Sequence, residues 1–158
     1  MVERLKGNGT TDFGAPDVQP LVDADPAREA DVERLRTILE ACWKAFDSAV
    51  SKVGARELRR GPQGGGRDLE KIIRHIADAE AAYLSRIGGK VEFQGQPGSA
   101  EALAALRRAV LDRLGIAARN WPVERGPRGG VRWTPRYFVR RAAWHLLDHT
   151  WEIQDRTV

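Results

Sequence analysis

The chain has 158 residues, a single cysteine, and 26 basic against 22 acidic side chains, giving a net charge of +4 and a pI near 9.6. That length suits one domain able to bury a core without disulfide or metal staples, and the lone Cys42 excludes an intrachain bridge. No apolar run of about 18 residues is present, and the opening "MVERLKGNGTTDFGAPDVQP" lacks the apolar core of a secretory signal, so we read a soluble cytoplasmic protein with no membrane partner. The basic balance raises nucleic acid as a partner. Yet the arginines interleave with acids, as in "DVERLRTILE" and "ALRRAVLDRL". Such interleaving marks a solvated helix surface rather than a phosphate-tracking patch.

Residues 1–25 read as an irregular N-terminal extension and residues 26–158 as one helical domain. In the first helix Asp25 is the expected cap and Pro26 the first helical residue. Val32, Leu35, Ile38, Leu39, Cys42, Trp43, Phe46 and Val50 then recur at three and four residues, an amphipathic stripe. After "GPQGGGRD" a second helix runs from about Asp68 to Ile87, with Leu69, Ile72, Ile73, Ile76, Tyr83 and Leu84 on its apolar face. "GGKVEFQGQPGS" is loop. Ser99 caps a third helix, which carries Leu103, Leu106, Val110, Leu111, Leu114 and Ile116 to about Arg119. Thr134 followed by Pro135 opens a fourth, ending near Arg156. Four amphipathic helices and no clear strand predict an all-α four-helix bundle with long loops. "RGPQGGGR" and "RGPRGGVR", at 60–67 and 125–132, differ at two of eight positions and each leads into a histidine-bearing helix. An internal duplication and the ordinary recurrence of glycine and proline in connections explain this equally well.

The chain's three histidines are His75 in the second helix and His145 and His149 in the fourth. At about 100° per residue the last two stand about 40° apart on one face, close enough to hold one ion. All three border apolar arcs, and Ala79 and Ala82 beside His75 are small. One histidine at a core edge is ordinary packing. Three at comparable borders of facing helices suggest an open imidazole site for zinc, nickel, iron or manganese.

These segments, "HIADAEAAYL" and "WTPRYFVRRAAWHLLDHTWEIQDR" with its H-x3-H element, resemble the DinB/YfiT-like four-helix bundles over residues 27–156. The resemblance implies that His75, His145 and His149 form a divalent-metal triad. Relatives in that family include a mycothiol-dependent maleylpyruvate isomerase and bacillithiol transferases, which implies a low-molecular-weight thiol as a second cofactor.

Other residues near the triad carry alternatives. Glu152 could bond a ligand imidazole, complete the coordination sphere or act as a catalytic base. Equally, it and Asp148 could belong to a salt-bridged face with Arg141 and Arg156. Glu80 projects from the apolar side, where an arginine on another helix is the expected partner. Trp133 and Tyr137 could wall a pocket. Trp144 and Trp151 point away from the histidines and suit a homodimer contact. Cys42 reads as a core residue.

The function expected is metal-dependent activation of water or a small thiol against a small electrophilic molecule, as a transferase, isomerase or hydrolase. The alternative is a non-catalytic bundle that binds metal or another protein.

Overall fold

A computed structural model describes residues 3–54, 56–60, 65–93, 95–121, 125–126 and 130–157. Four helices make the body: α1 (Glu29–Val53), α2 (Leu69–Arg86), α3 (Ala100–Arg119) and α4 (Pro135–Arg156). Among the described residues there is no strand, only an isolated bridge between Arg125 and Val131. Within the repeated loop segments, residues 61–64 and 127–129 lie outside the described residues.

Three helix starts are local. Asp68 accepts from Lys71 N at 2.8 Å, Ser99 from Ala102 N at 3.2 Å and Thr134 from Tyr137 N at 3.0 Å, each satisfying a backbone N–H that the first turn leaves open. The start of α1 corrects the sequence reading, because the helix begins at Glu29 and not at Pro26. Asp31 accepts from Arg28 N at 3.2 Å, which marks the start locally, and Arg136 on α4 holds the chain before it. Arg136 donates to the carbonyls of Asp25 and Pro26, both at 3.2 Å, and to the Asp31 carboxylate at 2.7 Å. Asp25 closes a short 3-10 turn, Leu21–Ala24, packed on α4. From that turn the buried Asp23 carboxylate takes a two-bond fork from Arg140, at 2.6 and 2.8 Å. So part of the N-terminal segment is tied to the bundle.

Contacts between helices give the order α1–α4–α2–α3 around the bundle, with α1 diagonal to α2. Directions follow from the pairings. Arg36 reaches Leu111 O and Asp47 binds Arg107, so α1 and α3 are antiparallel. Trp133 N donates to Arg86 O at 3.0 Å while His75 meets His145, so α2 and α4 are antiparallel. Arg136 sits at the start of α1 and Arg156 beyond its end, so those two helices run the same way.

The core is continuous through the four helices. Leu39, Phe46, Ile72, Ile76, Leu84, Leu106, Leu114, Phe138, Leu146 and Ile153 are fully buried. Ile38 and Ile116, placed on apolar stripes from sequence, are instead 40% and 37% exposed. Cys42 lies in the core, where burial pushes its thiol pKa up and the Glu80 carboxyl adds to that effect.

Glu80 is buried but has a different partner from the one expected. The indole N–H of Trp43 donates to its Oε1 at 2.6 Å, and Oε2 has no partner. Arg107, the nearest candidate on another helix, pairs in a fork with Asp47, both bonds 2.7 Å, and lies over the Trp43 ring. Desolvation raises the Glu80 pKa to about 7, against the opposing Trp43 hydrogen bond and Arg107 charge. The carboxyl therefore does not need an ion pair below that pH.

Candidate metal centre

Because α2 and α4 are antiparallel neighbours, His75 on one faces the i,i+4 pair His145 and His149 on the other. The three rings form a near-equilateral cluster, with centroid separations of 5.0, 5.0 and 4.8 Å. One ring nitrogen from each lies within 4.8 Å of the others. His145 and His149 are buried and His75 is partly so.

The donor set fits a divalent transition ion. His145 Nε2 and His75 Nε2 face each other at 3.2 Å. At most one proton can occupy that gap, so at least one nitrogen presents a lone pair. Zinc–nitrogen bonds of about 2.0–2.1 Å in tetrahedral array put ligand nitrogens about 3.4 Å apart, close to this separation. His149 Nδ1 lies 2.7 Å from Glu152 Oε2. An ionised carboxylate can only accept, so Nδ1 carries a proton, and in the neutral ring Nε2 is then the lone pair, the tautomer a ligand needs.

Electrostatics keep two rings neutral. Burial pushes His145 down to about 3, helped by repulsion from His149 and His75 whenever those rings are protonated and from the charges of Arg141 and Arg67. His75 is also lowered, by burial first and then by Arg67 and His149, with Asp78 and Glu152 opposing. Neutral imidazole is the metal-binding form.

Glu152 has both oxygens engaged. Its Oε1 accepts from Arg156 Nη1 at 2.6 Å, and Arg156 also donates from Nε to Arg59 O at 2.8 Å and from Nη2 to Arg67 O at 2.7 Å. Gly66, at φ +113°, gives that guanidinium room, since a Cβ there would stand 2.9 Å from it. Thus the α1–α2 connection holds Arg156, which holds Glu152, which orients His149. This chain of bonds joins segments far apart in sequence, and only the proximity of Glu152 and Arg156 on one helix hinted at it.

Arg141 does not share in that pairing. Its guanidinium lies over Tyr83 and Trp144, 5.9 and 5.2 Å from the ring centroids. Asp148 is exposed and takes no part. Trp144 departs from the sequence reading, as its half-buried ring tilts to 6.2 Å from His145. Trp151 does face outward, 57% exposed. Trp133 and Tyr137 form a wall with Tyr83, which sequence reasoning placed only in the core. Tyr83 is 5.2 Å from Trp133 and 5.8 Å from His145 between centroids.

No described helix is long and apolar enough to cross a membrane. Searches of curated proteins and of solved structures return no match. The DinB superfamily model does match, over residues 38–153, a span that includes α2, α3 and all three histidines. With that match over most of its length, on an all-α bundle in the expected helix order, the chain belongs to the DinB superfamily.

Proposed function

We propose that His75, His145 and His149 hold one divalent transition metal, and that the protein is a metal-dependent enzyme acting on a small electrophilic molecule with water or a small thiol as nucleophile. The observation that carries this is the convergence of three ring nitrogens within 4.8 Å, two of them on rings that burial and neighbouring charges keep neutral. Three protein ligands leave coordination positions open. A divalent ion there would supply Lewis acidity, lowering the pKa of a water or thiol toward neutrality.

The residues around it have separate tasks. Glu152 fixes the His149 tautomer through Nδ1, and with both oxygens occupied it is an orienting group rather than a base. Arg67 and Arg141, whose charges oppose protonation of the histidines, equally favour an anionic nucleophile over its neutral acid. Tyr83 packs edge-on against His145 and shields that flank from water.

Elemental analysis of tag-free protein, purified without a metal column, tests the reading. Wild type is expected to carry about one equivalent of a transition metal and His145→Ala to lose it with helical circular dichroism intact. Wild type that takes up no zinc, nickel, iron or manganese defeats it. Metal-loaded protein is then screened for thiol transfer, thiol-dependent isomerisation and hydrolysis, with the metal-free protein as the blank.

A further inference from the structure

Away from the histidines, the C-terminal end of α2 collects positive charge around Gly88. A Cβ on Gly88, which has φ +82°, would stand 3.2 Å from the guanidinium carbons of both Arg113 and Arg132. Those two carbons are therefore no more than twice that distance apart. Arg113 Nε donates to Ile87 O at 2.7 Å and Arg132 Nη1 donates to Ser85 O. Arg86, the last residue of α2, has its guanidinium over the Trp133 ring, 5.9 Å from the centroid. Among the described residues none of these three arginines pairs with a carboxylate. Lys90, which adjoins them, is paired with Glu92 at 2.7 Å.

Helix capping accounts for only part of this. The C-terminus of a helix carries about half a negative charge, which offsets a fraction of one cation and not three. Like charges as close as those of Arg113 and Arg132 repel unless an anion joins them. The arginines also border space. Ser85, Arg86, Gly88, Lys90, Gly126 and Arg132 line a cavity of about 560 Å³. A second of about 370 Å³ shares Gly126 and Arg132 with it and adds Arg113, Trp121 and Trp133. Both lie within the about 300–1,000 Å³ typical of small-ligand sites. Gly126 is part of the construction, as a Cβ there would come within 2.9 Å of Arg132 Nη2.

We propose that these adjoining cavities bind a small phosphate-bearing molecule, its phosphate on Arg86, Arg113 and Arg132 and its flat apolar body against Trp121 and Trp133. Arg113 and Arg132, brought together at Gly88, with Arg86 on the wall of the first cavity, match a phosphate dianion better than a single carboxylate charge, and guanidinium forks match its oxygens. Indole faces suit a planar ring. The site begins at Ala82, about 10 Å along α2 from His75, and does not depend on the metal reading.

Isothermal titration of chelator-treated protein at low salt, with inorganic phosphate, phenyl phosphate and a short DNA duplex as probes, decides the matter. Phenyl phosphate is expected to bind saturably and more tightly than inorganic phosphate. Arg86→Gln and Arg132→Gln are each expected to weaken it about tenfold or more, Arg132→Lys to weaken it less, and Arg74→Gln, remote from the cavities, to leave it unchanged. Because Arg132 also caps α2, circular dichroism accompanies each variant, and Arg86→Gln decides if Arg132→Gln unfolds. No saturable phenyl phosphate binding below about 10 mM, or equal affinity in wild type and Arg86→Gln, overturns the proposal. So does a duplex that binds more tightly than phenyl phosphate and is lost with the same substitutions, which would make this face a nucleic-acid surface.

Discussion

Glu80→Gln should make the protein more stable by about 3 kcal/mol at pH 8 and by less than about 1 kcal/mol at pH 5. Glu80 is 2% exposed, one oxygen bonded to the Trp43 indole and the other bonded to nothing. Its carboxyl keeps its proton to about pH 7, where a free glutamate releases it near 4.5. Between those values the unfolded chain is ionised and the folded one is not, so the native state binds more protons and stability falls as pH rises. At about 1.4 kcal/mol per pH unit, ionising Glu80 in the fold costs about 3 kcal/mol, fully felt above pH 7 and absent below 4.5. Glutamine has nearly the same shape, keeps an acceptor for Trp43 and never ionises. Urea unfolding of wild type and variant at pH 5, 6, 7 and 8, with chelator present to remove any metal linkage, reads the difference directly. The gap should open with pH to about 3 kcal/mol, while groups common to both proteins cancel. A gap that is constant across this range would show that Glu80 is already ionised at pH 5 or is solvated in the fold, and the desolvation argument would fail.

Three further outcomes are expected. Glu152→Gln should weaken metal binding about 10- to 100-fold with the helical signal unchanged; an unaltered affinity in a chelator competition would remove its orienting role. In metal-free protein the His145 ring should stay neutral at pH 5 by nitrogen NMR, since its pKa is depressed to about 3. The stability it lends is present above the unfolded value of about 6.5 and is lost as pH falls toward 3, and a midpoint near 6.5 in the folded protein would contradict the burial argument. Asp23→Ala removes the fork from Arg140 and should cost about 1–3 kcal/mol in unfolding experiments without altering metal content, a moderate loss because Arg140 can turn to water. No measurable loss would mean that the 3-10 turn at Leu21–Ala24 does not hold in solution.

Where the physics is local, the sequence is a reliable guide here. Ser99 and Thr134 cap the helices they were expected to cap, and Asp68, read from sequence as the first residue of the second helix, is its cap, because a cap needs only its own first turn. Pro26 failed as a helix start because Asp31 takes the Arg28 N–H and starts the helix at Glu29, while Arg136, far along the chain, holds the carbonyls of Asp25 and Pro26. The Glu80 partner failed for a related reason. Spacing on α2 shows that the carboxyl turns inward, but not that Trp43 meets it while Asp47 takes the arginine.

Sequence alone determined the four helices, the all-α class, and which three imidazoles are available, since periodicity and capping are written in neighbouring residues. It also placed His145 and His149 on one face. Tertiary structure decided the rest. Only the order α1–α4–α2–α3 sets α2 beside α4 and so brings His75 to the other two, and only the return of the α1–α2 connection to the end of α4 lets Arg156 hold Glu152. Those are contacts between residues distant in the chain, whose formation depends on how whole helical faces share one core and on no short stretch of sequence.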